Sequence, residues 1–183
     1  MKVVSLFSGC GGLDLGFKKA GFNFIWANEF DKSIHKTFKK NFPKTFLDTR
    51  SIIEIDPKEI PDCDGIIGGP PCQSWSEAGA LRGINDSRGQ LFFDYVRFIK
   101  EKRPKFFLAE NVSGILFSRH SKALETIFNH FLEIGYNVSF QLLNAHDYGV
   151  PQTRKRVIIV GYPVSYETHF IPPLPDEERP VLK

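Results

Sequence analysis

Cysteine is scarce in this chain. Three residues, Cys10, Cys63 and Cys72, occur among 183. Their number is odd, they lie far apart, and they form no Cys-x-x-Cys pair and no Cys/His cluster. Neither a disulfide framework nor a metal site is expected, and free thiols in a reducing compartment are the default. Long apolar runs are missing too. The N-terminal MKVVSLFSG is far shorter than a signal-peptide core with its cleavage site, and nothing approaches a membrane span, so the expectation is a cytoplasmic protein. Charge is nearly balanced, with a net +3 and a pI of about 8.7, which permits a polyanionic partner without requiring one. The basic stretches at 97–105 (RFIKEKRPK) and 153–156 (TRKR) say more than the sum, although either reads equally well as a solvated face.

What is present is enough for one core. With 42% hydrophobic and 14% aromatic residues, a chain of 183 is long enough for one well-packed core and too short for two independent ones. VVSLF (3–7) reads as a strand ending in the turn SGCGG, and Leu13, Phe17 and Ala20 then recur at helical spacing up to Gly21. FIWAN (24–28) is a second strand, followed by a helix near Asp31 to Lys40, a weak strand at 45–47 and an apolar strand at 65–67. Past a loop at 73–89, Phe92, Tyr95, Val96 and Ile99 mark a helix face, and KFFLAEN (105–111) is a strand. Leu124, Ile127, Phe128 and Phe131 mark another helix, closed by Gly135, before strands in VSFQLL (138–143) and VIIVG (157–161). Alternation of this kind predicts an α/β fold with a mostly parallel open sheet and a crevice at the strands' carboxyl ends. Residues 8–12, Glu29, Pro71, Cys72, Glu110 and Asn111 all fall at those ends. Five of the 12 prolines lie in residues 162–183, so a domain is expected over 1–161, with a Pro-rich extended tail or linker after it.

Glycines 9, 11 and 12 let a backbone approach a ligand closely and expose N–H groups at a helix N-terminus. The dinucleotide fingerprint fails because Asp14 holds its third glycine position, and no Lys-Ser/Thr pair follows to make a phosphate loop. Glu29 ends the second strand, where a carboxylate accepts from ribose hydroxyls, so a nucleoside without a phosphate chain, such as S-adenosylmethionine, fits better than NAD or ATP. Alternatively Glu29 only caps the helix after it. Cys72, in GGPPCQSWS (68–76), is held by a proline-stiffened turn yet flanked by polar residues. Those are the requirements of a nucleophile, although an inert loop cysteine is the better reading of PPCQS taken alone.

The ordered series LFSGCGGLDLGF, NEFD, GGPPCQSWS, ENV and QTRKR resembles the motifs of the C5-cytosine DNA methyltransferases, from residue 3 to about residue 161. GPPCQ-x-x-S followed by ENV is highly specific for that family, and the wording is most similar to bacterial restriction-modification members. The resemblance implies a Rossmann-like methyltransferase fold, S-adenosyl-L-methionine as cofactor and double-stranded DNA as partner. By it Cys72 adds to C6 of a flipped-out cytosine, Glu110 meets N3, Arg154 helps hold the base and Arg156 supports the site. Gln73, Ser76 and Arg154 would contact DNA, with the loop Ser74 to Gly89 as a closing lid. Phe7, Ser8, Gly9, Gly11 and Gly12 would line the cofactor pocket, with Glu29 on the ribose, Phe30 on the adenine face and Pro71 near the methyl group. Asp48 in LDTRSI matches the family's adenine contact, with Ser51 as the alternative under a register shift. The motif series also fits an RNA cytosine-C5 enzyme or a non-catalytic DNA- or cofactor-binding subunit. Family members continue past QxRxR into a target-recognition region and a GNAVP-type segment, and residues 162–183 match neither. The expectation is therefore an incomplete catalytic portion, inactive alone and completed by a second chain or a C-terminal region.

Overall fold

Val3, Val4 and Leu6 have no exposed surface, because β1 (Lys2–Leu6) runs between β2 (Asn23–Asn28) and β4 (Gly65–Gly68) in a sheet covered on both faces. The computed structural model describes residues 1–71, 87–177 and 180. The remaining strands are β3 (Phe46–Asp48), β5 (Phe106–Val112), β6 (Tyr136–Asn144) and β7 (Lys155–Pro163). The helices among the described residues are α1 (Gly12–Lys19), α2 (His35–Asn41), α3 (Ser87–Lys102) and α4 (Ser121–Glu133). None is long and apolar enough to cross a membrane.

Strand order is β3-β2-β1-β4-β5-β7-β6. Every pairing from β3 to β5 is parallel, whereas β7 runs antiparallel to both β5 and β6. The mostly parallel open sheet is the expected one, and the single reversal decides the site. Because β7 enters where β5 leaves, its first residues lie beside the carboxyl end of β5, with Arg156 opposite Val112.

The larger core lies between the sheet, α3 and α4. Phe107 is fully buried there, stacked on Phe131 at 4.3 Å between ring centroids, and burial of such a ring contributes roughly 1.5–3 kcal/mol. Gly161 is opposite Phe107 in the β5–β7 pairing, and a side chain there would drive its Cβ to 2.1 Å from the ring. The smaller core holds Phe38 and Phe42 against Val3, Phe24 and Ile67, with Leu13 and Phe17 of α1 packed on it.

Three local readings change. The second helix begins at His35 rather than Asp31, because the Asp31 carboxylate accepts from Ser33 N at 2.9 Å and makes a turn of those residues. The basic run 97–105 is largely internal wiring. Arg97 donates to the carbonyls of Ile52 and Ile55, Lys102 reaches Asp62, Arg103 donates to the Ile134 carbonyl and Lys105 pairs with Asp64. β7 extends to Pro163, two residues beyond the expected division at 161. The proline-rich residues after it lie along 139–149: Phe170 N donates to Ser139 Oγ, Tyr148 Oη to Pro173 O, Asp176 N to Asp147 O and His146 Nε2 to Pro180 O.

Candidate active site

The parallel strands deliver their carboxyl ends to one edge, and the site is built there in two halves. On the β1–β2 side the chain leaves β1 through Phe7, Gly9 and Gly11, whose φ values are 54°, 56° and 83°. Left-handed backbone is strained for Phe7, which is half-buried. A side chain at Gly11 would be strained at that φ and would place its Cβ 2.3 Å from the Phe42 ring, which would have to move. Glu29 latches this loop. One carboxylate oxygen accepts from Gly9 N and the other from Asp31 N, both at 2.8 Å.

Buried Asn28 supports the latch by donating to the carbonyls of Asp48 and Arg50, and His35 Nε2 donates to Glu29 O at 2.8 Å. Each Glu29 oxygen keeps further acceptor capacity, Phe30 stands 66% exposed beside it, and the loop offers backbone N–H groups at the start of α1. Paired acceptors, an exposed ring and a glycine loop fit a nucleoside carrying an amino-acid tail. Asp48 is differently placed. It is 6% exposed and both its oxygens are taken by Arg50, the closest contact being 2.7 Å. Burial pushes its pKa up, but Arg50 outweighs this and holds the carboxyl below its ordinary value. Ser51 caps the 3₁₀ turn Ile52–Glu54 in a capping box with Glu54.

On the β4–β5–β7 side, Glu110 is part-exposed and accepts from Arg156 Nε at 2.8 Å, with Arg154 Nη2 at 3.6 Å from the same oxygen. Arg156 is thus fixed on the carboxylate and Arg154, half exposed, is held loosely. The loop leaving β4 passes close by, for a Cβ on Gly69 would lie 3.6 Å from Glu110. Buried Asn111 donates to Pro70 O at 3.0 Å, fastening that loop to β5. Gly68 permits the approach, since its Cβ would meet the Leu6 carbonyl at 2.3 Å.

Phe7, Ser8, Gly9, Gly11, Gly12, Glu29, Phe30, Pro71, Glu110, Arg154 and Arg156 therefore share the edge at which β1, β2, β4 and β5 end and β7 begins. Cys72, Gln73, Ser76 and residues 74–86 of the lid expected over Ser74 to Gly89 lie outside the described residues, while 87–89 belong to α3 rather than to a loop. Asn28 and His35 went unnoticed in the sequence, and Asn111 was noted without a role. An amide at the end of an apolar strand, as in WAN-E and E-N-V, was the signal available.

A model of the C-5 cytosine-specific DNA methylases matches residues 1–183. The Type II methyltransferase M.NgoPII of Neisseria gonorrhoeae is 58% identical over 191 residues, covering 100% of this chain and 55% of that protein. M.FnuDI of Fusobacterium nucleatum is 55% identical, covering 100% and 54%. The chain thus spans about half the length of the curated relatives it matches. A prophage-encoded E. coli protein assigned as a DNA modification methyltransferase superposes with a TM-score of 0.83 at 34% identity, over 99% of this chain and 52% of that one. Spodoptera frugiperda DNMT2 shares the fold, with a TM-score of 0.76 at 24% identity over 95% and 57%.

Proposed function

The chain belongs to the C-5 cytosine-specific DNA methylase family, and from that premise we propose that it forms the chemical half of a Type II DNA methyltransferase acting on C5 of a flipped-out cytosine. The observation that carries the reading is Glu110, fixed by Arg156 at 2.8 Å beside the loop that leads through Pro70 and Pro71 into Cys72.

C5 of an aromatic pyrimidine is a poor nucleophile. Attack of the Cys72 thiolate on C6 saturates the 5,6 bond and leaves an enamine whose electron density resides at C5. Glu110 at N3 draws off the charge that accumulates as the Sγ–C6 bond forms, by proton donation or a strong hydrogen bond. Arg156 fixes the carboxylate, while Arg154, loosely held, is free to reach the base or its phosphate. S-adenosylmethionine, when bound, would supply an electrophilic methyl group for C5. Glu29, the glycine loop and Phe30 are the residues that would hold it, and Pro71 would stand near its methyl group. Adenine recognition by Asp48 requires that Arg50 release one of its oxygens. Transfer of the C5 proton to solvent and elimination of Sγ as the thiolate restore the double bond and the starting nucleophile. Gln73 and Ser76 are assigned to DNA contact. The reading of target sequence is assigned to the half of the relatives' length without counterpart here, in the same polypeptide or a second one.

The test is covalent trapping on duplex DNA containing 5-fluorocytosine, whose C5 fluorine cannot leave as a proton. With that second half supplied, the wild type is expected to give a stable adduct and Cys72→Ser none. Trapping that survives the substitution removes Cys72 from the mechanism, and preference for the matching RNA moves the substrate class.

A further inference from the structure

Asp14 is the third residue of α1, directly behind the glycine loop, and has no exposed surface. Among the described residues the buried side-chain oxygens without a hydrogen-bond partner are both carboxylate oxygens of Asp14 and the hydroxyls of Ser5 and Ser8. All stand in residues 5–14, the segment that makes the loop. An unpartnered buried carboxylate is strongly destabilising, and four such atoms in one short segment of an otherwise well-bonded fold call for a functional reason. Burial pushes the Asp14 carboxyl up to about 6, and the Ser5 hydroxyl, then Asp14's own backbone amide, pull it back in part although neither lies within hydrogen-bonding distance.

Among the described residues no cationic side chain offsets it, and only the first turn of α1, in which it stands, favours its charge. β2 and β4 carry no titratable side chain, and β1 has only Lys2 at its opposite end. Glu110 of β5 is paired with Arg156. On α2, His35 is bonded to Glu29 O, and Lys36, Lys39 and Lys40 are exposed. Lys18 and Lys19 lie in the last turn of α1, and Cys10 on the loop is exposed. None of these contributes to the Asp14 shift.

We propose that Asp14 is a positioning and specificity residue: a buried counter-charge behind the glycine loop, hydrogen-bonded by Ser5 when ionised, that favours the cationic methyl donor over its neutral thioether product. The inference rests on reading that loop as the adenosylmethionine site. It gives the uncompensated carboxylate a purpose, because a sulfonium in front of the loop provides the positive charge that the protein itself leaves out. Donor and product carry the same amino-acid group, so titration of that group cancels in the ratio of their affinities. Only a protein charge that distinguishes sulfonium from thioether remains in the ratio.

The experiment is calorimetric titration of the chain completed by its second half, with S-adenosylmethionine and with S-adenosylhomocysteine from pH 5 to 7.5, for wild type and Asp14→Asn. In the wild type the donor-to-product affinity ratio should rise about tenfold as Asp14 ionises, and in Asp14→Asn it should stay flat. Thermal unfolding without ligand gives a second readout. A folded-state pKa of about 6, above the ordinary 3.8, means that the wild type loses stability as pH rises between those values. Asp14→Asn should therefore be the more stable protein at pH 7.5, with the gap opening from about pH 4 to 6. If Asp14→Asn fails to fold, Ser5→Ala serves instead and should shift the midpoint of the ratio to higher pH. An unchanged pH dependence in whichever of these variants folds overturns the inference. Binding of neither ligand by the wild type overturns the cofactor reading, and this inference with it.

Discussion

Two stretches of this chain are rich in basic residues, and the fold uses them in opposite ways. In residues 97–105 four of the five basic side chains bond to carbonyls or carboxylates of this chain. Arg97 satisfies two carbonyls of the β3–β4 connection at 2.9 Å each and pairs with Asp94, while Lys102 is only 8% exposed in its contact with Asp62. At 154–156 the two arginines converge on one carboxylate, Glu110, at the edge where the strands present their ends. The difference lies in where each stretch sits. The first is on a helix packed against connecting turns with unsatisfied carbonyls, and the second opens the one reversed strand of the sheet. A basic run is thus a site or a brace according to what the backbone places opposite it.

The sharpest way to break this comparison is Arg156→Ala. If Arg156 fixes the catalytic carboxylate, methyl transfer by the completed enzyme should fall by about 10²–10³-fold, the scale of a general acid–base group losing its support. Arg156→Lys should recover little of it, because a point charge does not reproduce the directed Nε–H bond. Tritiated methyl transfer to DNA measures this, with thermal unfolding as the control. A loss of stability without a loss of rate would make Arg156 a brace like Arg97.

Arg97→Ala probes the other stretch and should give the next largest effect. It removes the Arg97 donor from the Ile55 carbonyl and leaves the Ile52 carbonyl only the 3.4 Å bond from Ile55 N, a loss of about 1–3 kcal/mol, read as a lower urea midpoint. DNA affinity and its salt dependence should not move, since Arg97 neutralises no phosphate in this picture. A reduced salt slope would return residues 97–105 to the DNA-facing surface.

Strand positions were legible because apolar runs such as VVSLF and VIIVG are bounded by glycines and polar turns. The direction of β7 was not, since VIIVG reads the same either way along the sheet. That direction brings Arg154 and Arg156 to Glu110, so their convergence was available only through family resemblance. Glu29 could be placed from its position at the end of β2, whereas its latch to Gly9 depends on a left-handed loop that no local pattern announces. Asn28 and Asn111 act on backbone carbonyls of distant segments, 20 to 41 residues away, and contacts of that range leave no local periodicity. The α2 boundary slipped because the turn chemistry of Asp31 and Ser33 outweighs helical propensity at its start.

Lys105→Ala should have the smallest effect, and its pH dependence is what makes it informative. Lys105 Nζ stands 2.7 Å from Asp64, and Lys2 N donates to the other oxygen of the same carboxylate at 2.8 Å. Those two bonds, Lys105 first, hold Asp64 below its ordinary 3.8 and raise Lys105 in turn. A depressed carboxyl stabilises the fold above its unfolded pKa, and that contribution disappears as pH falls through the folded value. The melting temperatures of wild type and Lys105→Ala should therefore differ slightly at pH 7 in low salt and converge as pH falls below the ordinary carboxyl value of 3.8. The difference should also shrink at high ionic strength, as expected for a pair at the surface. A gap at neutral pH that exceeds the Arg97→Ala effect would mean that surface pairing, rather than carbonyl capping, is what residues 97–105 contribute, and the contrast with 154–156 would have to be redrawn.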